Sequence, residues 1–234
     1  MAVYVTGDTH GRFKRVKAFC GRMGLTTDDV VVILGDAGLN YYLGPRDRRG
    51  KHDLGRLPPT FLCIHGNHEE RPENVPGYHL ASAFGGQVWV EDEFPNILFA
   101  RDGEVYELAG MRCVAIGGAY SVDKQIRLER GWSWFASEQP DDAAKRRVEA
   151  KLTELGWDVD VVLSHTVPRS FEPVEAFIDG VDESTVDTST EDWLQMVEDR
   201  LAYRRWYAGH YHVEKRVGNL RIMFEDWDLL EWPG

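Results

Sequence analysis

The chain has 234 residues, of which 43% are hydrophobic, and a formal net charge of −12. This length and apolar content suffice for a sizeable core and argue against a disordered protein. The acidic surplus argues against an extended nucleic-acid-binding surface, because phosphate contacts need lysine and arginine in excess, and no segment approaches the ~20 apolar residues of a membrane span.

Short apolar runs recur along the chain, and each ends abruptly in polar residues. They predict five strands, at residues 2–6, 30–34, 60–64, 161–164 and 206–208. Between the first two runs, apolar residues recur at three- and four-residue steps over residues 11–24, which predicts an amphipathic helix closed by Gly24. Strands that alternate with helices in this way predict a layered α/β domain.

Two further stretches have the pattern of antiparallel β structure. Residues 96–117 contain short apolar runs separated by "RDG" and "AG" turns, and residues 213–232 are similar, with a turn at "GN". Later helices are predicted over about 140–155 and after Ser189, whose spacing from Asp192 fits a capping box. The acidic, turn-rich segment 171–190 is predicted to be a surface loop, and we expect one domain over residues 1–234, because no composition shift marks a linker.

The cysteines and the first residues bear on the compartment. Cys20, Cys63 and Cys113 are odd in number, widely spaced and flanked by apolar residues, which indicates reduced core thiols rather than a disulfide framework or a zinc motif. The start "MAVYVTGDTH" has no basic segment, long apolar segment or cleavage site typical of secretion. We therefore expect a cytoplasmic protein.

Each of the five predicted strands is followed by Asp, His or Asn. A single pattern of this kind is usually incidental, but five in series favour a metal site. The carboxyl ends of strands in layered α/β proteins lie along one rim, so these side chains should converge. Their donors suit Mn, Fe, Zn or Ni, and they exceed what one four-coordinate metal needs, which predicts two metals bridged by a carboxylate. The candidate ligands are Asp8, His10, Asp36 (the predicted bridge), Asn67, His165, His210 and His212.

The series "GDTHG", "GDAG", "GNHE", "SHTVP" and "GHYH" resembles the five signature blocks of the calcineurin-like metallophosphoesterase family, and it spans residues 7–212. The resemblance implies an α/β fold, a four-layer α/β/β/α sandwich with two mixed β-sheets and the active site at the strand C-terminal ends. It also implies that His68 is catalytic, that Asp8, His10, Asp36 and His212 hold one metal, and that Asp36, Asn67, His165 and His210 hold the other.

The implied activity is that of a metal-dependent phosphoric ester hydrolase acting on phosphomonoesters. A hydroxide bridging two divalent ions, with manganese the first choice and iron, zinc or nickel as alternatives, would attack phosphorus, and His68 would protonate the leaving group. The main alternative is a phosphodiesterase acting on nucleotides or nucleic-acid ends. Leu39 and Asn40 stand where the protein-phosphatase branch of the family has Asp and Arg, so a serine/threonine protein phosphatase ranks third.

From other functional classes, a non-catalytic metal-binding scaffold and a metal-storage or sensing protein stay open. The sequence does not indicate the oligomeric state. Several residues could contact substrate phosphate, although solvated surface charge is the more common state of any one basic side chain. They are Arg12, Asn40, Tyr41, Arg71, Lys124, Arg127 and Arg130.

Overall fold

The computed structural model describes residues 1–177 and 183–232. Its helices are α1 (Phe13–Met23), α2 (Pro45–Gly55), α3 (Lys124–Arg130), α4 (Asp142–Glu154) and α5 (Ser189–Glu198). Its strands are β1 (Val3–Thr6), β2 (Val30–Ile33), β3 (Thr60–Cys63), β4 (Tyr78–Ala83), β5 (Gly86–Glu91), β6 (Ile97–Ala100), β7 (Val105–Leu108), β8 (Met111–Ile116), β9 (Val161–Ser164), β10 (Arg205–Ala208), β11 (Lys215–Val217), β12 (Leu220–Ile222) and β13 (Trp227–Leu229).

The strands form two mixed sheets. The first has the order β13-β1-β2-β3-β6-β5-β4, in which β1, β2, β3 and β6 are parallel and the remaining strands are antiparallel to their neighbours. The second has the order β11-β12-β10-β9-β8-β7, in which β8, β9, β10 and β12 are parallel. Within each sheet, the carboxyl ends of the parallel strands therefore meet at one edge.

Alternation along the strands explains the layers, because successive side chains point to opposite faces of a sheet. Val3 of the first sheet packs in the same core as Val161 of the second, so the two sheets face each other. On the outer face of the first sheet, Val31 packs with Val16 of α1. Helices α4 and α5 cover the outer face of the second sheet, where Val197 is buried. The predicted α/β/β/α sandwich is confirmed.

Two predicted antiparallel units are divided between the sheets. β6 lies parallel to β3 in the first sheet, whereas β7 and β8 form a hairpin in the second. The predicted antiparallel structure over residues 96–117 is therefore present in β7 and β8, whereas β6 pairs parallel with β3 and antiparallel with β5, because the "RDG" segment carries the chain from one sheet to the other. Near the C-terminus, β11 and β12 form the predicted hairpin at "GN", but β13 returns to pair with β1.

The helix ends agree with the sequence pattern except at α5. Gly24 ends α1 in the left-handed conformation, with φ 65°, and α4 falls within the predicted range 140–155. The N-cap of α5 is Thr188, whose hydroxyl donates to Asp192 Oδ2 at 2.9 Å. Ser189 is the first residue of the helix and Thr188 makes no side-chain hydrogen bond to the backbone of the first turn, so the predicted capping box of Ser189 and Asp192 was wrong.

The remaining sequence expectations concern the acidic segment, the cysteines and the membrane. Of segment 171–190, residues 178–182 lie outside the described part, and the described residues before α5 hold only short 3-10 turns, as a loop would. Cys20, Cys63 and Cys113 are buried free thiols. Across the described ranges, every helix falls short of the length and hydropathy needed to cross a bilayer.

Candidate metal centre

All seven predicted donor side chains lie in loops that follow the carboxyl ends of parallel strands. Three strands of the first sheet and two of the second contribute, so the site lies where the edges of the two sheets meet. In chain order the donors are Asp8 and His10 after β1, Asp36 after β2, Asn67 after β3, His165 after β9, and His210 and His212 after β10.

The first group of donors contains Asp8, His10 and His212. The Nε2 atoms of His10 and His212 lie 2.8 Å apart. Asp8 Oδ2 lies 3.3 Å from Nε2 of His212 and 3.7 Å from Nε2 of His10. A carboxylate oxygen and two imidazole nitrogens therefore converge closely enough to share one ion.

The second group contains Asn67, His165 and His210. Asn67 Oδ1 lies 2.8 Å from His165 Nε2 and 3.1 Å from His210 Nδ1. The Asn67 amide donates through Nδ2 to Ser121 Oγ, which points the carbonyl oxygen at the histidines. His165 Nδ1 lies 2.7 Å from the carbonyl oxygen of Leu34, so in the neutral ring Nδ1 carries the proton and Nε2 the lone pair. Two lone-pair atoms thus face each other, an arrangement that a cation stabilises.

Asp36 lies between the two groups. Its Oδ1 lies 3.8 Å from His165 Nε2, and its Oδ2 lies 3.9 Å from His10 Nδ1. Oδ1 also accepts a hydrogen bond from the backbone N–H of His68 at 2.8 Å. The carboxylate thus has one oxygen toward each group, the placement that a bridging ligand needs.

The charges of the site call for cations. Burial raises the pKa of Asp8, but the His212 imidazole, 3.3 Å from Oδ2, and the nearby His165 outweigh it, so the net pKa is lowered. The pKa of Asp36 is likewise lowered, because the charges of His68, His165 and His10 outweigh the effect of burial. Two buried carboxylates are therefore ionised side by side, and among the described residues Asp8 Oδ2 has no hydrogen-bond partner. An orphaned anionic oxygen in such a place fits a bound metal.

Backbone strain is concentrated at the same residues. His10, Asp36, His210 and His212 all have positive φ, at 46°, 47°, 70° and 53°. Non-glycine residues rarely adopt this conformation, which costs of order 1–3 kcal/mol and persists at sites that require it. His210 and His212 therefore lie in a strained loop after β10, with His210 beside Asn67 and His212 beside Asp8.

Three glycines allow the donor loops to approach one another. A Cβ at Gly66 would overlap the backbone nitrogen and Oδ1 of Asp36, and one at Gly209 would overlap Oδ1 of Asp8. At Gly35, which also has φ 97°, a Cβ would overlap the ring of His165. These three positions therefore require glycine chiefly because any side chain would overlap a neighbouring donor residue.

His68 lies next to the candidate donors and contacts Arg127. Its Nδ1 lies 3.8 Å from Asp36 Oδ2. Nη2 of Arg127 lies 2.6 Å from both ring nitrogens of His68. The sequence favours a solvated surface position for any one basic side chain, but Arg127 is only 3% exposed. The available sequence signal was its spacing of four residues from Asp123 on one helix, which fits an ion pair.

Three of the other basic and polar candidates, Arg71, Arg130 and Asn40, lie elsewhere. Arg71 Nη1 pairs with buried Asp102 at 2.7 Å, and Arg130 is exposed. Asn40 is buried and accepts a hydrogen bond from the Tyr78 hydroxyl at 3.2 Å, while Leu39 belongs to the core below α1. The residues that replace Asp and Arg in "GDAGLNYYLG" are thus structural.

A cavity of about 650 Å³ opens beside the donors. Asp36, Asn67, His68, His210 and His212 line one end of it. Apolar and aromatic side chains dominate the rest of the wall, and its polar residues are Asp123, Arg169, Glu172, Thr188 and Glu191. The apolar and aromatic lining residues are Tyr120, Val122, Ala176, Phe177, Val186, Tyr211 and Val213.

Comparison with known proteins identifies the family of the chain. A family model described as calcineurin-like phosphoesterase matches residues 1–214. The chain belongs to the calcineurin-like phosphoesterase family. In this calcineurin-like phosphoesterase, the described residues include three groups of His and Asp whose ligand atoms lie close enough to hold a metal ion, and His10, Asp8 and Asp36 each belong to two of them.

Two of the solved structures that match the chain can be compared with it. The phosphopantetheinyl hydrolase PptH from Mycobacterium tuberculosis matches with a TM-score of 0.53 and 17% identity, over 95% of this chain and 88% of its own. The protein of unknown function AQ665 from Aquifex aeolicus matches with a TM-score of 0.38 and 13% identity, over 86% of this chain and 87% of its own. No curated protein sequence matches the chain. At these identities, the structural likeness to PptH shows the fold alone.

Proposed function

We propose that the protein is a binuclear metal-dependent phosphoesterase that hydrolyses phosphate esters, with phosphomonoesters as the preferred class. The observation that carries this proposal is the convergence of seven candidate donor side chains, two of which are buried, ionised carboxylates. Two divalent ions at such a site neutralise phosphoryl oxygens and lower the pKa of bound water to ~7. Asp8, His10, Asp36 and His212 would hold one ion, and Asp36, Asn67, His165 and His210 the other, with manganese as the first choice of metal.

His68 is the proposed proton donor. Its backbone N–H is fixed to Asp36, and its ring is 26% exposed and lines the cavity, where a leaving group would emerge. During hydrolysis a water would lose one proton and its oxygen would bond to phosphorus, while the bond from phosphorus to the ester oxygen breaks. The proton of His68 would pass to the ester oxygen, and the proton lost by the water would restore His68. General acid catalysis of this kind contributes typically ~10²- to 10⁴-fold.

The cavity favours an organic leaving group with a long apolar part. Its walls are mainly apolar, and its volume of about 650 Å³ exceeds what a small alcohol fills. A cavity of this volume also leaves room for a second ester substituent, so phosphodiester hydrolysis is the second candidate. The fold-similar solved structure is named a phosphopantetheinyl hydrolase, so a phosphopantetheine compound belongs among the substrates to test.

A substrate panel with Mn, Fe, Zn and Ni tests the proposal. It would compare aryl monoesters, aryl diesters, alkyl monoesters of increasing chain length, nucleotides, phosphopantetheine and a phosphopeptide. We expect monoesters to be cleaved, with kcat/KM rising with alkyl length. Diesters cleaved more than tenfold faster than monoesters would overturn the monoester preference, and no cleavage of any ester by metal-loaded protein would revive the scaffold or storage alternatives.

His68→Ala separates the proton donor from the ligands. We expect kcat to fall ~10²- to 10⁴-fold while the metal content of the purified protein stays near that of the wild type, because the donors remain in place. His79→Ala is the matched control, since His79 is an exposed histidine of β4 outside the site. Equal loss of metal and activity in His68→Ala would instead assign His68 a ligand or structural role.

We further infer one domain over residues 1–234 and a cytoplasmic location. The buried free thiols support a reducing compartment, and the core shared by both sheets supports a single folding unit. Two separate unfolding transitions, or recovery of the native protein from an oxidising compartment, would contradict these two inferences respectively.

A further inference from the structure

Helix α3 buries a charge and exposes its apolar side chains. Arg127 is its only buried residue, whereas Ile126 and Leu128 on either side are 49% and 51% exposed. Burial of a charged side chain is costly unless it is paired, and exposure of Ile and Leu forgoes stabilising contacts. Packing alone would favour the opposite orientation of this helix, so the inward arginine needs another explanation.

The guanidinium of Arg127 is fixed on two sides. Its Nε donates to Asp123 Oδ1 at 2.8 Å, and its Nη1 donates to the backbone carbonyl of Ser133 at 3.0 Å. Its central carbon lies 5.6 Å from the centre of the Tyr41 ring, a cation–π distance. These contacts occupy Nε and Nη1 and hold Nη2 in one direction, toward the ring of His68.

Nη2 of Arg127 reaches the candidate active site at His68. Nη2 contacts the ring of His68, and His68 in turn contacts Asp36 between the two donor groups. Asp123 lines the cavity, and its Oδ1 lies 3.9 Å from His68 Nε2. The positive side chain that contacts His68 is thus a buried guanidinium fixed by Asp123 and Ser133, not a solvated one.

We propose that Arg127 binds the phosphoryl oxygens of the substrate and that Asp123 is a positioning residue that holds the guanidinium toward them. This inference rests on the proposed function and adds to it a protein contact for the phosphate. Arginine suits the role because its planar donors can bind carboxylate and phosphate oxygens at the same time, which a lysine ammonium does less well. The paired Asp123 offsets the charge of Arg127 in the absence of substrate.

The test measures steady-state kinetics and inhibition by inorganic phosphate on metal-loaded wild type and on Arg127→Ala, Arg127→Lys and Asp123→Asn. Arg130→Ala, an exposed arginine of the same helix, is the control. We expect Arg127→Ala to lower kcat/KM and to raise the phosphate inhibition constant, each about 10- to 100-fold, the range for a lost hydrogen bond between charged groups. Arg127→Lys and Asp123→Asn should show smaller losses, and Arg130→Ala should stay within about twofold of the wild type.

Added guanidinium distinguishes binding from packing. Millimolar guanidinium should restore part of the activity of Arg127→Ala and none of that of His68→Ala. A wild-type phosphate inhibition constant in both Arg127→Ala and Arg127→Lys, with only the melting temperature lowered, would overturn the inference. Absence of turnover in the wild type would overturn the proposed function. In that case, phosphate binding measured by calorimetry that depends on Arg127 would still support the inference that Arg127 binds phosphate.

Discussion

Gly66 shows how little room the donor residues leave for one another. It precedes Asn67, and a methyl group on it would overlap both the backbone and the carboxylate of Asp36. The overlap involves backbone atoms, which a change of rotamer cannot relieve. The glycine is therefore part of the architecture that places two candidate ligands from neighbouring strands side by side.

We expect Gly66→Ala to lower both bound metal and activity, by at least tenfold in kcat/KM, because the loop must shift away from Asp36. Gly21→Ala is the matched control, since Gly21 lies within α1 and an added methyl group there meets no atom within 4 Å. That control should be neutral or stabilise the protein by about 0.5–1 kcal/mol. Metal analysis, kinetics and thermal melts of both variants check this, and a fully metal-loaded, active Gly66→Ala would refute it.

The sequence could predict the candidate donor residues that the structure brings together, but not the position of Arg127. Residue type, order and position after an apolar run were enough to select Asp8 and Asp36, because strand ends in this class of fold share one edge. The burial of Arg127 depends on how α3 is oriented, and the apolar neighbours Ile126 and Leu128 predict the opposite face. The left-handed conformation of His210 could not be predicted either, because glycine is the residue that indicates this conformation in a sequence.

At the level of elements, periodicity predicted those with an apolar face. Helix α1 has one, whereas α2 has the sequence "PRDRRGKHDLG" and buries only Asp47, Lys51 and Leu54. Lys51 and Asp47 carry no apolar signal, so the helix was missed. The division of residues 96–117 between two sheets was missed for a different reason, because a loop that changes sheets looks like a hairpin turn in sequence.

Helix α5 places a carboxyl group in a setting that links stability to pH. Glu191 lies in its first turn, is buried beside the cavity, and accepts a hydrogen bond from Thr166 Oγ1 at 2.8 Å. Burial raises its pKa to about 7, with nearby Glu172 raising it further, while the Thr166 hydrogen bond and the charge of Arg169 act in the opposite direction. The folded state therefore favours the protonated acid.

The sign of the pH effect follows from this raised pKa. The folded protein holds the Glu191 proton up to about pH 7, whereas the unfolded chain releases it near the ordinary value of 4.5. Stability from this group is present below pH 4.5 and is lost as pH rises to 7, by roughly 3 kcal/mol at 1.36 kcal/mol per pH unit.

We expect Glu191→Gln to be more stable than the wild type at pH 8 and equal to it near pH 4.5, because the amide is neutral throughout and still accepts a hydrogen bond. Denaturant melts at both pH values measure the difference. Glu154→Gln, which removes an exposed carboxylate at the end of α4, should leave the free energy of unfolding unchanged at both pH values. An equal difference at both pH values would contradict the assignment.

For the whole molecule, the candidate centre joins the two halves of the sandwich. Asp8, Asp36 and Asn67 follow strands of the first sheet, whereas His165 and His210 follow strands of the second. The sheets otherwise meet through an apolar core that does not select a relative position of their edges as sharply as shared ligands do. Metal bound by both sets would therefore stabilise the packing of one sheet against the other.

Metal removal should consequently lower the stability of the entire fold. With free Mn at about 100 times its Kd, the bound ion contributes ~2.7 kcal/mol, which corresponds to a change of roughly 5–10 °C in Tm for a chain of this size. Calorimetry of chelated and Mn-supplemented protein measures the shift, which should grow with free Mn. His165→Ala removes a donor of the second sheet and should shrink the shift, whereas His79→Ala should preserve it. A Tm that is the same with chelator and with Mn would show that these donors do not bind the metal in the folded protein.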